Sequence, residues 1–148
     1  MRLGNLKVDF MPDDENVLGF SNRWYKLALS SAETYTLSDN LNIKVVSPVL
    51  LLATKLEAYR GRGGHDPLGS RDMEDILMLF DGRPELIEEI KHSGHELRSY
   101  FSATVGGLLE HPRFEYAVQS AVTGDERREQ VLWRRLKSVC KLDGVGED

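Results

Sequence analysis

The sequence predicts an α+β fold in which a few strands and one helix come first and nearly pure helix follows. Three observations carry this prediction. Apolar residues alternate with polar ones close to the start, at Leu6, Val8 and Phe10. Two β-type pieces, Thr34 to Leu37 and Ile43 to Val46, flank the turn residues Ser38, Asp39 and Asn40, which marks a hairpin. From Ser47 onward, apolar residues recur at helical spacing between clear helix starts and breakers.

Taken in order, the first strand covers Leu6 to Phe10, ends at Met11-Pro12 and gives way to a loop at Asp13, Asp14, Glu15 and Asn16. A strand so near the start would ordinarily have neighbours on both sides. Trp24, Leu27 and Ala28 give the segment Asn22 to Ser31 helical spacing. Ser47-Pro48 is a strong helix start, because a serine hydroxyl accepts from free amides and proline suits the first turn. That helix runs from Val49 to about Arg60 and stops in Gly61-Arg62-Gly63-Gly64. Ser70 opens the next helix, Arg71 to Phe80, which Asp81-Gly82 closes. Further helices are expected at Pro84 to Lys91, Glu96 to Leu109, Pro112 to Val122 and Asp125 to Lys141, with a frayed tail over Val145 to Asp148.

Composition bounds what this chain can be. With 148 residues, 41% hydrophobic and 29% charged, it has the balance of a folded domain rather than a disordered one. A formal net charge of −5 argues against a protein whose main task is coating nucleic acid, while leaving room for a local basic face. The single cysteine, Cys140, supplies neither an internal disulfide nor a zinc cluster. The longest apolar stretch, Val49 to Ala53, is too short to span a bilayer, and Met1 to Phe10 has neither the length nor the apolar run expected of a signal peptide. The expectation is a soluble cytoplasmic protein.

A few residues stand out chemically. Asp9 lies on the opposite strand face from Val8 and Phe10; it is either a solvent-facing residue or a carboxylate presented to a metal ion from a rigid strand. Lys55 falls on the helix side that carries Leu51, Leu52, Ala58 and Tyr59, with Thr54, Glu57 and Gly61 on a more polar side. An ammonium group among apolar neighbours needs an anion or a route to water. Asp72 and Asp75 sit three apart in the first turns of the following helix, where the helix dipole favours acids, and either could pair with Lys55 or Arg62. Met73, Ile76, Leu77 and Phe80 form that helix's core stripe. Arg60, Arg62, His65 and Arg71 surround a glycine-rich connection, which could meet phosphate or serve only as a solvated loop. Its glycine spacing does not match a triphosphatase phosphate-binding loop. Arg127, Arg134, Lys137 and Lys141 share one face of the last helix opposite Leu132, Leu136 and Val139, either as a solvated face or as a landing strip for RNA or an acidic partner. His92 and His95 show no metal pattern.

Two segments together resemble the minimal nucleotidyltransferases, in particular the abortive-infection (AbiEii-like) toxin type. Leu6-Lys7-Val8-Asp9-Phe10-Met11, followed by Leu18-Gly19-Phe20, resembles the strand that carries that family's third metal-binding carboxylate. Leu52-Ala53-Thr54-Lys55-Leu56-Glu57-Ala58-Tyr59-Arg60-Gly61-Arg62, then Asp66 and Ser70-Arg71-Asp72-Met73-Glu74-Asp75-Ile76, resembles its block of a lysine, an arginine-bearing connection and an Asp-x-x-Asp helix. The resemblance covers about Leu6 to Arg83. It implies a partial nucleotidyltransferase-type sheet and core over residues 1–83, followed by a C-terminal helical bundle over 84–148. It implies transfer of a nucleoside monophosphate from a nucleoside triphosphate to an acceptor hydroxyl on RNA, protein or a small molecule, with Mg2+ as cofactor. Asp9 would then be a metal-binding catalytic carboxylate. Lys55 would be the catalytic, triphosphate-contacting lysine and Asp72 its acidic partner, with Arg62 and Asp75 supporting the nucleotide.

The family's Gly-Ser turn and Asp-x-Asp pair lie upstream of the third carboxylate, yet only eight residues precede Asp9 here. Asp13 and Asp14 are adjacent and follow the strand, so they are poor substitutes. The chain alone is therefore expected to be inactive in transfer. It would be truncated, completed by a second polypeptide such as an antitoxin, paired with a second copy through an open sheet edge, or retained as a non-catalytic binding or regulatory protein. The first is favoured, since missing strands would leave an unpaired edge and bare apolar surface.

Overall fold

The computed structural model describes residues 2–8, 16, 22–62 and 66–142. Two short strands, β1 (Arg2–Leu3) and β2 (Leu6–Lys7), pair antiparallel around Gly4, whose φ of +61° suits a glycine in a tight turn. Helix α1 (Tyr25–Ser30) leads into the hairpin of β3 (Glu33–Ser38) and β4 (Leu41–Val45), in which Tyr35 faces Ile43 and an irregularity falls between Thr36 and Ser38. Six helices follow: α2 (Pro48–Gly61), α3 (Arg71–Gly82), α4 (Leu86–Lys91), α5 (His95–Leu109), α6 (Phe114–Ala121) and α7 (Glu126–Val139). The molecule is thus α+β, with the helix-rich part C-terminal.

Serines start the two helices that matter most below. The Ser47 hydroxyl accepts from the Leu50 amide at 3.3 Å, and the Ser70 hydroxyl accepts from Met73 at 3.2 Å. Asp125 does the same for α7, accepting from Arg127 and Arg128, after a turn in which Gly124 takes a φ of +80°. The C-terminal end of α3 is held from a distance: the Arg135 guanidinium donates to the Phe80 and Asp81 carbonyls at 2.7 and 2.6 Å.

Helix α2 is the hub. It packs against α1, α3, α4 and α5, while α3 also meets α6 and α7. One continuous core results, running from Trp24 through Leu52, Leu56, Met73, Ile76, Phe80, Phe101 and Leu132 to Leu142. Each such fully buried large side chain stabilises the fold by roughly 1.5–3 kcal/mol. The core crosses the boundary between residues 83 and 84 without a break, so the two expected regions share one interior.

The structure corrects several expectations. Among the described residues, the strands form two separate two-stranded sheets rather than one partial sheet, because β2 pairs only with β1. The strand expected over Leu6 to Phe10 holds only Leu6 and Lys7, as β2; Val8 lies beyond its end, and Asp9 and Phe10 lie outside the described residues. On α2, Leu51 is exposed, whereas Ala53 and Leu56, absent from the expected apolar side, are buried. Val49, Leu50, Leu52, Ala53, Leu56, Ala58 and Tyr59 are all buried on this helix, more than one face can hold, so period-3.6 reading misplaces its sides. Helices α4 and α6 begin two residues later than expected, at Leu86 and Phe114, since the prolines at 84 and 112 lie in the preceding turns.

Candidate functional site

The chemistry-bearing residues converge where α2 hands over to α3. The Lys55 ammonium lies 2.6 Å from Asp75 Oδ2 and 3.4 Å from Asp72 Oδ1. From the end of α2, the Arg62 guanidinium donates to the other oxygen of Asp72 at 2.5 Å. Asp72 is the buried member, with 7% of its side chain exposed, against 32% for Lys55, 47% for Asp75 and 53% for Arg62. Two cations and two carboxylates therefore make a neutral clasp whose most buried charge is gripped on both oxygens. That satisfies the requirement that a buried carboxylate be paired and hydrogen-bonded.

Local folding places the clasp. Ser70 caps α3, and Asp72 and Asp75 follow in its first turns, pointing to one side. Lys55 sits midway along α2, and the two helices pack along their length. Burial draws the Lys55 ammonium toward its neutral form, but the hydrogen bond and charge of Asp75 and the charge of Asp72 outweigh that, and its pKa lies above the ordinary lysine value.

Beside the clasp opens a groove of about 570 Å³, lined by Tyr59, Arg62, Asp66, Ser70, Arg71 and Asp72. Burial pushes the Tyr59 phenol up in pKa, and the nearby Asp66 carboxylate adds to it. Asp66 accepts from the Leu68 amide at 3.1 Å and pairs with Arg113, at 3.3 Å, from the start of α6. A second polar cluster lies behind: the Tyr100 hydroxyl donates to Glu57 at 2.8 Å, Arg60 pairs with Glu57, and the Arg23 guanidinium stacks 4.6 Å over the Trp24 ring. Burial, then the Glu57 carboxylate, raises the Tyr100 pKa strongly.

Of the residues singled out by the sequence, Lys55, Arg62, Asp72 and Asp75 are brought together. Arg62 and Asp72 also line the groove, where Arg71 joins them, while Arg60 turns toward Glu57 and Tyr100. Asp9 and His65 lie outside the described residues. Sequence reading missed Glu57, Tyr100 and Arg113, whose partners are 43 or 47 positions away with no local pattern to link them.

The clasp does not fit a magnesium site. Both Asp72 oxygens and one of Asp75 already face protein cations, and magnesium needs carboxylate oxygens free to bind it. Among the described residues, no group of three or more metal-ligating side chains converges. Nor, among them, is any helix long and apolar enough to cross a membrane. No family model, curated protein or solved structure matches the chain.

Proposed function

We propose that this chain is a nucleotidyltransferase-like protein of the toxin–antitoxin or phage-defence type. Its reaction would be transfer of a nucleoside monophosphate from a nucleoside triphosphate to an acceptor hydroxyl, with the α2–α3 junction as the phosphate-facing part of the site. One observation supports the reading above others. The lysine and the Asp-x-x-Asp helix singled out by motif, 17 and 20 positions apart, meet in ion-pair contact beside an open groove. Phosphate oxygens would take the Lys55 ammonium from the half-exposed Asp75 and meet the outward part of Arg62, leaving Asp72 to hold both cations in place. Nucleotide binding, rather than transfer, is what the proposal assigns to the α2–α3 junction.

Calorimetric titration of the purified chain with each nucleoside triphosphate, with magnesium present, tests this. The expected result is binding to at least one of them, weakened at least tenfold by Lys55→Ala. That variant keeps its fold, since Asp72 retains Arg62. Absence of binding to all of them would overturn the proposal.

A different reading is favoured by the β3–β4 hairpin, every residue of which is exposed, with Tyr35, Leu37, Leu41, Ile43 and Val45 between 39% and 59%. It makes the chain a non-catalytic interaction or regulatory protein that captures an antitoxin-like partner or a second copy through that hairpin. Stable folding without nucleotide affinity, joined to concentration-dependent association, would establish it in place of the first.

A further inference from the structure

Helix α7 carries cations on the side that it does not bury. Leu132, Leu136 and Val139 are sealed in the core, while Arg127, Arg134 and Lys137 are exposed along the helix and Lys141 is exposed in the turn just past its end. Three of these, Arg134, Lys137 and Lys141, line a groove of about 800 Å³ together with Trp133 and, from the end of α5, Leu109. Among the described residues, no aspartate or glutamate lines it. In a chain of net charge −5, that is a local concentration of positive charge.

The tryptophan gives the groove its character. Its indole N–H donates to Glu129 at 3.2 Å and its ring meets Phe114 edge-on at 5.9 Å, so the ring is oriented and its polar atom is satisfied. The Lys137 ammonium stands 5.9 Å from the ring centroid. The groove therefore offers an aromatic surface beside cations spaced three and four residues apart, two on α7 and one just past its end.

We propose that this groove binds a single-stranded polynucleotide, with a base stacked against Trp133 and successive phosphates on Arg134, Lys137 and Lys141. Sequence-tolerant strand binding needs this pairing of a stacking platform with a row of cations. An acidic peptide would use the cations and leave the ring idle. The site is separate from the α2–α3 clasp, and its binding does not depend on the nucleotide reading.

The test uses the full chain and a fluorescein-labelled uridine strand of about 15 nucleotides, followed by anisotropy. Binding is expected to weaken as salt rises, with a log–log slope of about −2 for three phosphate contacts to a single strand. Arg134→Glu with Lys137→Glu should raise Kd at least tenfold. Trp133→Leu should raise it severalfold with the salt slope unchanged, and circular dichroism should show both variants folded. Lack of binding, binding untouched by the charge reversals, or equal affinity for a polyglutamate peptide that Trp133→Leu does not alter would each overturn the proposal.

Discussion

The hairpin and the helical bundle follow equally regular sequence patterns, yet they end in opposite states. In the bundle, the stripe of Met73, Ile76, Leu77 and Phe80 is wholly sealed against neighbouring helices. In the β3–β4 hairpin, Tyr35 and Ile43 pair across the strands, and both remain open to solvent together with Leu37, Leu41 and Val45. A periodic pattern specifies which side of an element is apolar, not what covers it. A two-stranded hairpin without cover is marginal in water, so almost all of the stability should reside in the bundle.

That contrast can be broken or sharpened by substitution. The largest effect is expected at the centre of the bundle. Phe101→Ala removes a fully buried ring and should cost about 3–5 kcal/mol in urea unfolding, enough to threaten the fold. Next comes the clasp. Asp72→Ala removes a partner from Arg62 and weakens the tie on Lys55, but both cations can reach water, so about 1–3 kcal/mol is expected. Asp75→Ala, at a half-exposed carboxylate, should cost about 1 kcal/mol or less. Equal losses for the two would mean that the clasp is more open than its geometry indicates.

Alkaline pH should loosen the same neighbourhood. Lys55 and Tyr100 both hold their protons more tightly in the folded chain than in the unfolded one. The stability linked to them is complete below their ordinary values and is lost as pH rises through the folded ones. The urea midpoint should therefore fall above about pH 10. Tyr100→Phe should make that fall shallower, and a midpoint insensitive to pH there would contradict the assignment. The smallest effect is expected on the hairpin. Leu37→Ser or Ile43→Thr should change stability by about 0.5 kcal/mol or less in the isolated chain. A loss several times larger would mean that the hairpin is covered in solution.

Much of this architecture was legible because its signals are local. Ser47-Pro48 and Ser70 marked helix starts through a hydroxyl and the amide three residues on, and the hairpin turn was written in Ser38, Asp39 and Asn40. Lys55 and Asp72 were legible as candidates because a lysine in an apolar setting needs an anion; that they share Asp75 and Arg62 was left open among several pairings. The sides of α2 were not legible, since its buried residues, from Val49 and Leu50 to Ala58 and Tyr59, spread over more than one helical face. Tyr100 with Glu57 and Arg113 with Asp66 were hidden for another reason: only tertiary packing brings them together.

The central claim is that the α2–α3 junction, rather than the hairpin or the far end of the bundle, receives nucleotide. Amide hydrogen exchange of the full chain, with and without saturating nucleoside triphosphate and magnesium, tests it most directly. The account predicts slowed exchange at the end of α2 and the start of α3, around Arg62 and Ser70 to Asp75, with β3–β4 unchanged. Protection that appears elsewhere, or nowhere, would contradict it.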